Sequence, residues 1–514
     1  MPVLARSVVA TSQPLAAQAG IAMLARGGNA VDAAIATAIA LVVVEPTNNG
    51  VGSDAFAIVW DGRELHGING SGCSPSALSP ERFRGQSSMP MLGWDAVTVP
   101  GAVSVWVELS RRFGRLPFPS LFEPALGYAR ESFCVSPVVA RQWALSAGLY
   151  GEFPEFAAAF LPGGGAPAAG EMFRLPELGT TLEEIAGSQG ESFYRGALAR
   201  RIEEHARSTG GLLTKHDLAE YRPEWVEPIR VRFRDHELCE LPPNTQGIAA
   251  LEALGILQRL PWLDAAPGSV DDLHFEIEAM KIALADARRH VADPRAMEIS
   301  AETLLDDGYL RERAKLVDPS RAGSFLAQES AGGDTVYLTT ADPSGMMVSF
   351  IQSNYMGFGS GIVVPGTGIS LQNRGASFTL AAGHPNRVGG SKRPFHTLVP
   401  AFVMRGGEPV MSFGVMGGPM QAQGHVQLMV RIFARGENPQ AAIDAPRWQV
   451  LESSRVGVER GFSPDVLDGL AARGHELVEM DPIWFGGAQA IHRLDGGAYL
   501  AASEPRKDGQ AVGF

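Results

Sequence analysis

Gly332-Gly333-Asp334-Thr335-Val336-Tyr337-Leu338-Thr339-Thr340-Ala341-Asp342 is the stretch around which this chain is organised. From Thr335 the residues alternate and are rich in β-branched side chains, which predicts a strand. A Pro343-Ser344-Gly345 turn follows, then a second strand from Met346 to Ser353, so the two form a hairpin. The segment before it, Ala327 to Gly333, is small and polar and has neither a helical nor a strand period. A threonine opening a core strand after such a linker admits two explanations. It is a β-former at a strand start, or it is a nucleophile released by cleavage between Asp334 and Thr335. In the second case the freed α-amino group, with a pKa of about 8, serves as the base for the hydroxyl on the same residue.

Working outward, the segment Asn354-Tyr355-Met356-Gly357-Phe358-Gly359-Ser360-Gly361 continues the hairpin, followed by Gly368-Ile369-Ser370-Leu371-Gln372-Asn373, Lys392-Arg393-Pro394 and Gly417-Gly418. Near the start stands Gly27-Gly28-Asn29-Ala30-Val31-Asp32-Ala33-Ala34. In this order the motifs resemble the γ-glutamyltranspeptidase family of N-terminal-nucleophile (Ntn) hydrolases over nearly the whole chain. The resemblance implies an α+β fold, a four-layer αββα sandwich. It also implies a precursor that cleaves itself into a large subunit, 1–334, and a small catalytic subunit, 335–514. These two pieces would stay together as a heterodimer, with a further dimer of heterodimers open.

The resemblance also assigns roles. Thr335 becomes the nucleophile, and Ser353 stands where the family has a threonine that orients the nucleophile's amine. Gly417 and Gly418 inherit the oxyanion hole, where rigid backbone N–H groups meet the charge that develops in the transition state. By themselves the two glycines read as a simple β-turn, and the resemblance is what gives them the oxyanion role. Around the substrate, Tyr355, His396 and Thr397 fall on positions that line the pocket; Thr397 keeps a hydroxyl, and His396 offers an imidazole donor. The family's glutamate clamp is altered. Ser71 stands where an arginine pairs with the α-carboxylate, and Ser377 stands where an acid binds the α-amino group. A serine cannot make the charged two-donor contact of an arginine. Arg374 gains weight instead, either as the partner of a small acidic substrate or as half of a structural ion pair.

These changes point toward the branch that contains oxamate amidohydrolase and related acylases: a self-processing amidohydrolase acting through an acyl-enzyme on small, oxamate-like amides. Two alternatives stand beside it, a true γ-glutamyl hydrolase or transferase and an uncleaved, non-catalytic binding relative. No cofactor or metal is expected.

The remaining features set bounds. The 514 residues are 45% hydrophobic and 19% charged, and the formal net charge of −13 argues against nucleic acid as a partner. The most apolar run, Ala33 to Val44, is too short to span a bilayer, and no export signal precedes it, so the expected place is the cytoplasm. Cys73, Cys134 and Cys239 have no metal-ligand spacing and read as buried thiols. Helices are predicted from about Ser12 to Arg26, from Ala30 to Val44 with Asn29 as its cap, and from Val270 to Val291. The charges of the last are expected on a solvated face. The loop Asn48 to Asp54 is either a cleft lining or a plain connection, and the Gly- and Pro-rich insert Leu161 to Gly170 is a surface loop.

Overall fold

The computed structural model describes residues 1–325 and 334–514, so the expected linker Ala327 to Gly333 lies outside the described residues. Two seven-stranded antiparallel sheets dominate. The first runs in the order Gln510–Gly513, Val8–Thr11, Asp334–Ala341, Met347–Tyr355, Asp54–Trp60, Leu65–Gly70 and Glu224–Val226. The second runs Val3–Ala5, Tyr499–Ser503, Gly487–Arg493, Glu408–Met416, Ala401–Arg405, His236–Glu240 and Ile229–Phe233. Each sheet interleaves strands from both sides of the Asp334–Thr335 bond. Among the described residues, no helix is long and apolar enough to cross a membrane.

Strand alternation explains how the sheets are packed. On the Thr335 strand, Val336 and Leu338 join the core built on helices Pro14–Ala25, Ala30–Val44 and Ala102–Phe113. Tyr337 and Ala341 face the other way, into an apolar layer with Phe56, Ile351, Phe402, Met416 and Ile491, which come from both sheets. The second sheet turns its other face to the helices Gly247–Leu257, Val270–His290 and Met420–Met429. Thr335 shares the side of Tyr337 and therefore points at the second sheet.

The local expectations hold at the first two helices, Pro14–Ala25 and Ala30–Val44. Asn29 and Asp32 form a reciprocal capping box: Asn29 Oδ1 accepts from Asp32 N at 3.0 Å, and Asp32 Oδ2 from Asn29 N at 2.9 Å. Asp32 is fully buried and also accepts from the N–H groups of Arg115 and Leu116.

Two expectations need correction. The helix Val270–His290 leaves Asp271 and Arg289 exposed but covers most of its charges: Asp272, His274, Glu276, Glu278, Lys281 and Asp286 are all buried. The segments before and after this helix, and the distant Arg435 and His475, cover it and supply partners. Trp262 Nε1 donates to Asp272 at 2.7 Å, and Tyr309 Oη donates to Asp286 at 2.9 Å. The cysteines also differ, since only Cys239 is buried, Cys73 is partly covered and Cys134 is exposed.

Because Asp32 accepts from Asn29 N in its own capping box and from two further N–H groups, those of Arg115 and Leu116, Asp32→Ala should cost on the order of 2–3 kcal/mol. Thermal unfolding should show a clearly lowered midpoint, with Asp32→Asn falling between the variant and the wild type.

Candidate active site

Thr335 lies at an irregularity in the hairpin. Asp334 pairs with Tyr355 and Val336 with Gln352, so Ser353 and Asn354 together stand opposite Thr335. Such a bulge bends the strand and re-aims its side chains. Thr335 is 2% exposed, and its hydroxyl is 3.4 Å from two groups, Ser353 Oγ and Gln421 Nε2. The orientation of Gln421 is dictated by its other end, because Oε1 accepts from Val399 N at 3.0 Å, leaving the amide nitrogen for Thr335. The threonine oxygen therefore accepts from Gln421 and donates to Ser353. Ser353 Oγ also accepts from Tyr355 N at 2.7 Å, which helps hold Tyr355 at a positive φ of 83°.

Gln421 stands in the first turn of Met420–Met429, directly after the turn Gly417-Gly418-Pro419 that leaves the second sheet. Gly417 and Gly418 have φ of 116° and 59°, the region that favours glycine. Their carbonyls are engaged: Gly417 O accepts from Met420 N, and Gly418 O from Gln421 N and from Gln246 Nε2 at 2.9 Å. Their amide N–H groups donate to no acceptor among the described residues.

A second group of side chains is buried beside this turn. Arg374 is fully buried, donates Nη1 to Thr397 Oγ1 at 2.8 Å, and lies over the Tyr355 ring at 4.4 Å from its centroid. Its Nε and Nη2 have no hydrogen-bond partner among the described residues, and neither has the buried hydroxyl of Ser377. Burial draws the Arg374 pKa down to about 10, against the pull of Tyr355 and Asp54, so it remains a cation at neutral pH. It forms no direct ion pair among the described residues, which leaves two of its donors for something else.

His396 is fully buried and occupied within the protein. Leu398 N donates to Nδ1 at 3.2 Å, so the proton sits on Nε2, which donates to Asp54 Oδ2 at 3.1 Å. Burial and the Arg374 charge hold its pKa well below the ordinary value. The expected free imidazole donor is therefore corrected: both ring nitrogens are spent on fixing Asp54 and the backbone. Ser71 is likewise committed, with its hydroxyl donating to Asn69 Oδ1 at 2.7 Å and lying 3.2 Å from Asn244 Oδ1.

Asp54, which ends the glycine-rich loop, carried no assignment from the sequence. Its Oδ1 accepts from Gly72 N, Gly101 N and Gln372 Nε2. Burial raises its pKa to about 7, opposed first by Arg374 and then by these donors. The only hint is the place of this acid at the end of the loop Asn48 to Asp54, one reading of which is a cleft lining. Gln421 gave no signal at all, since nothing local marks a glutamine in a first helical turn.

The geometry invites comparison with known proteins. A family model described as Gamma-glutamyltranspeptidase matches residues 16–514. The chain belongs to the γ-glutamyltranspeptidase family. It is similar to the oxamate amidohydrolase proenzyme of Klebsiella pneumoniae, at 37% identity over 97% of each chain. It is also similar to the glutathione hydrolase-like YwrD proenzyme of Bacillus subtilis, at 36% identity over 99% of this chain and all of that one. The crystal structure of cephalosporin acylase from Bacillus halodurans matches with a TM-score of 0.96 at 46% identity, covering 100% of this chain and 97% of that one. The present chain is an enzyme of this γ-glutamyltranspeptidase family, in which amidohydrolases and acylases are among its relatives.

The raised Asp54 pKa has a consequence for stability. The folded protein holds this proton up to about pH 7, whereas an unfolded aspartate releases it near pH 4. The contribution is therefore complete below about pH 4 and is lost as pH rises toward about 7. Relative to Asp54→Asn, the wild type should lose thermal stability across that interval and run parallel above it. Parallel curves throughout would show that Asp54 does not bind its proton more tightly when folded.

Proposed function

We propose that this enzyme is a self-processing amidohydrolase, or acylase, whose nucleophile is the hydroxyl of Thr335 at the N-terminus of a cleaved small subunit. The observation that carries this is the placement of the Thr335 hydroxyl between Ser353 and Gln421, next to two glycines with unused N–H groups. The word proenzyme in the names of the relatives supports cleavage. Cleavage before Thr335 yields subunits 1–334 and 335–514, and the strands they contribute to both sheets keep them together. The two sheets with their flanking helices form the four-layer αββα sandwich of Ntn hydrolases.

In the reaction, the freed amine of Thr335 takes the hydroxyl proton, and the oxygen attacks the amide carbonyl. Gly417 and Gly418 stabilise the oxyanion, the amine leaves with a proton, and water releases the acid from the ester. Ser353 and Gln421 hold the oxygen in line.

The substrate is a small amide whose acyl group carries a carboxylate. Arg374 supports this choice, because a buried guanidinium with two free donors calls for an anion, and the Tyr355 ring below it fixes its plane. Ser377 adds a free hydroxyl. Neither Ser71 nor Ser377 can neutralise both charges of an amino-acid head group, so γ-glutamyl donors are poor substrates.

Three outcomes check this. Mass spectrometry of the purified protein should find a fragment beginning at Thr335, and Thr335→Ala should remain one inactive chain. Gly418→Val should lower kcat by about a hundredfold or more, with a much smaller change in KM. Arg374→Lys should lose about ten- to a hundredfold in kcat/KM on oxamate-like amides while changing little on neutral ones. Efficient turnover of glutathione, with indifference to Arg374→Lys, would contradict the substrate class.

A further inference from the structure

On the buried side of the helix Val270–His290, outside the site above, four side chains form one chain of hydrogen bonds whose protons can all be assigned. His274 Nε2 is 2.8 Å from the carbonyl of Asp318, which only accepts, so this nitrogen carries the proton. His274 Nδ1 is then an acceptor, and His475 Nε2 donates to it at 2.9 Å. His475 Nδ1 in turn accepts from Lys281 Nζ at 3.3 Å. The ammonium donates its other hydrogens to Glu278 Oε1 at 2.8 Å and to the carbonyl of Gly323 at 3.2 Å. Glu278 Oε2 closes the circuit by accepting from Gly323 N at 2.8 Å.

His274, Glu278 and His475 bring metal-type donor atoms within 4.8 Å of one another. The lone pairs a metal would use are already taken, since Lys281 supplies the cation. Burial lowers the pKa of both histidines, to about 3 for His475, with the Lys281 charge adding to it, so they stay neutral. Glu278 and Lys281 are fully buried and balance each other. A buried pair of this kind is weak as a source of stability. Its endpoints are more informative: among the described residues, the side-chain bonds that leave the cluster land on the backbone of Asp318 and Gly323.

Those two residues belong to the stretch that leads into the Asp334–Thr335 bond. The same stretch is fixed elsewhere as well, by Ala322 N to Arg473 O at 2.7 Å and by Ser324 Oγ to Ser453 Oγ at 2.6 Å. A Cβ at Gly323 would lie 2.9 Å from Glu278 Oε2 and 2.5 Å from the Phe325 ring, so an alanine there presses on the clamp and makes these side chains shift.

We infer that the Glu278–Lys281–His475–His274 chain is a positioning clamp for self-cleavage: it anchors the chain at Asp318 and Gly323 and thereby sets the rate at which the bond before Thr335 is cut. This rests on the proposed self-processing. None of the four side chains takes part in amide turnover by the mature enzyme.

The test compares Lys281→Met and Gly323→Ala with the full-length wild type, following by mass spectrometry the appearance of the fragment beginning at Thr335. Gly323→Ala leaves the four buried side chains intact and serves if Lys281→Met fails to fold. Cleavage should slow by about tenfold or more in each folded variant, and on a Thr335→Ala background the Gly323 region should exchange its amide hydrogens about tenfold faster. Once cleaved, the variants should keep kcat within about twofold of wild type. A lowered thermal midpoint with an unchanged cleavage rate would overturn the clamp and leave the proposed function standing. A wild type that never cleaves would sink both.

Discussion

Packing two sheets face to face favours pairing of the hydroxyls trapped between them, because a buried polar group without a partner costs several kcal/mol. The Thr335 strand meets this constraint residue by residue. Tyr337 Oη pairs with Ser349 at 2.7 Å, and Thr339 with Ser412 at 2.6 Å across the sheets. Thr335 is the exception on that face. Its contacts to Ser353 and Gln421 are long, at 3.4 Å each, and the bulge opposite places it at the edge of the layer rather than within it. A hydroxyl held in orientation but not consumed by its partners is what a nucleophile requires.

The same economy separates structural from available groups around it. His396 and Asp54 are spent on each other and on the backbone, the Gln372 amide nitrogen donates to Asp54, and the Ser71 hydroxyl donates to Asn69, so these groups form the wall. Arg374 and Ser377 are left with unused donors on the same short turn, Arg374–Ser377. A buried polar group without a partner calls for an explanation, and beside the site a bound substrate supplies one. The acidic amide proposed as substrate rests on this arginine rather than on any single motif.

What the sequence revealed was mostly local. The Asn29–Asp32 cap, the hairpin from Thr335, and the glycine turn after the second-sheet strand depend on neighbours within a few residues, and they stand where they were expected. The errors came from contacts made across long separations. The charges on Val270–His290 look solvated in isolation, and only the fold brings His475, Arg435 and Tyr309 to cover them. His396 looks available in the sequence, but Asp54, far away in the chain, accepts its Nε2–H. Asp54 and Gln421 have no local signature, because their importance lies in what they touch.

The most direct measurement is to trap the acyl-enzyme. A slowly hydrolysed ester of an oxamate-like acid, added to cleaved protein and quenched in acid, should leave its acyl group on one tryptic peptide, Thr335 to Arg374. Fragmentation should place the added mass on the first residue of that peptide. An adduct on any other residue, or on a chain that still carries Asp334 joined to Thr335, would contradict a threonine nucleophile released by cleavage.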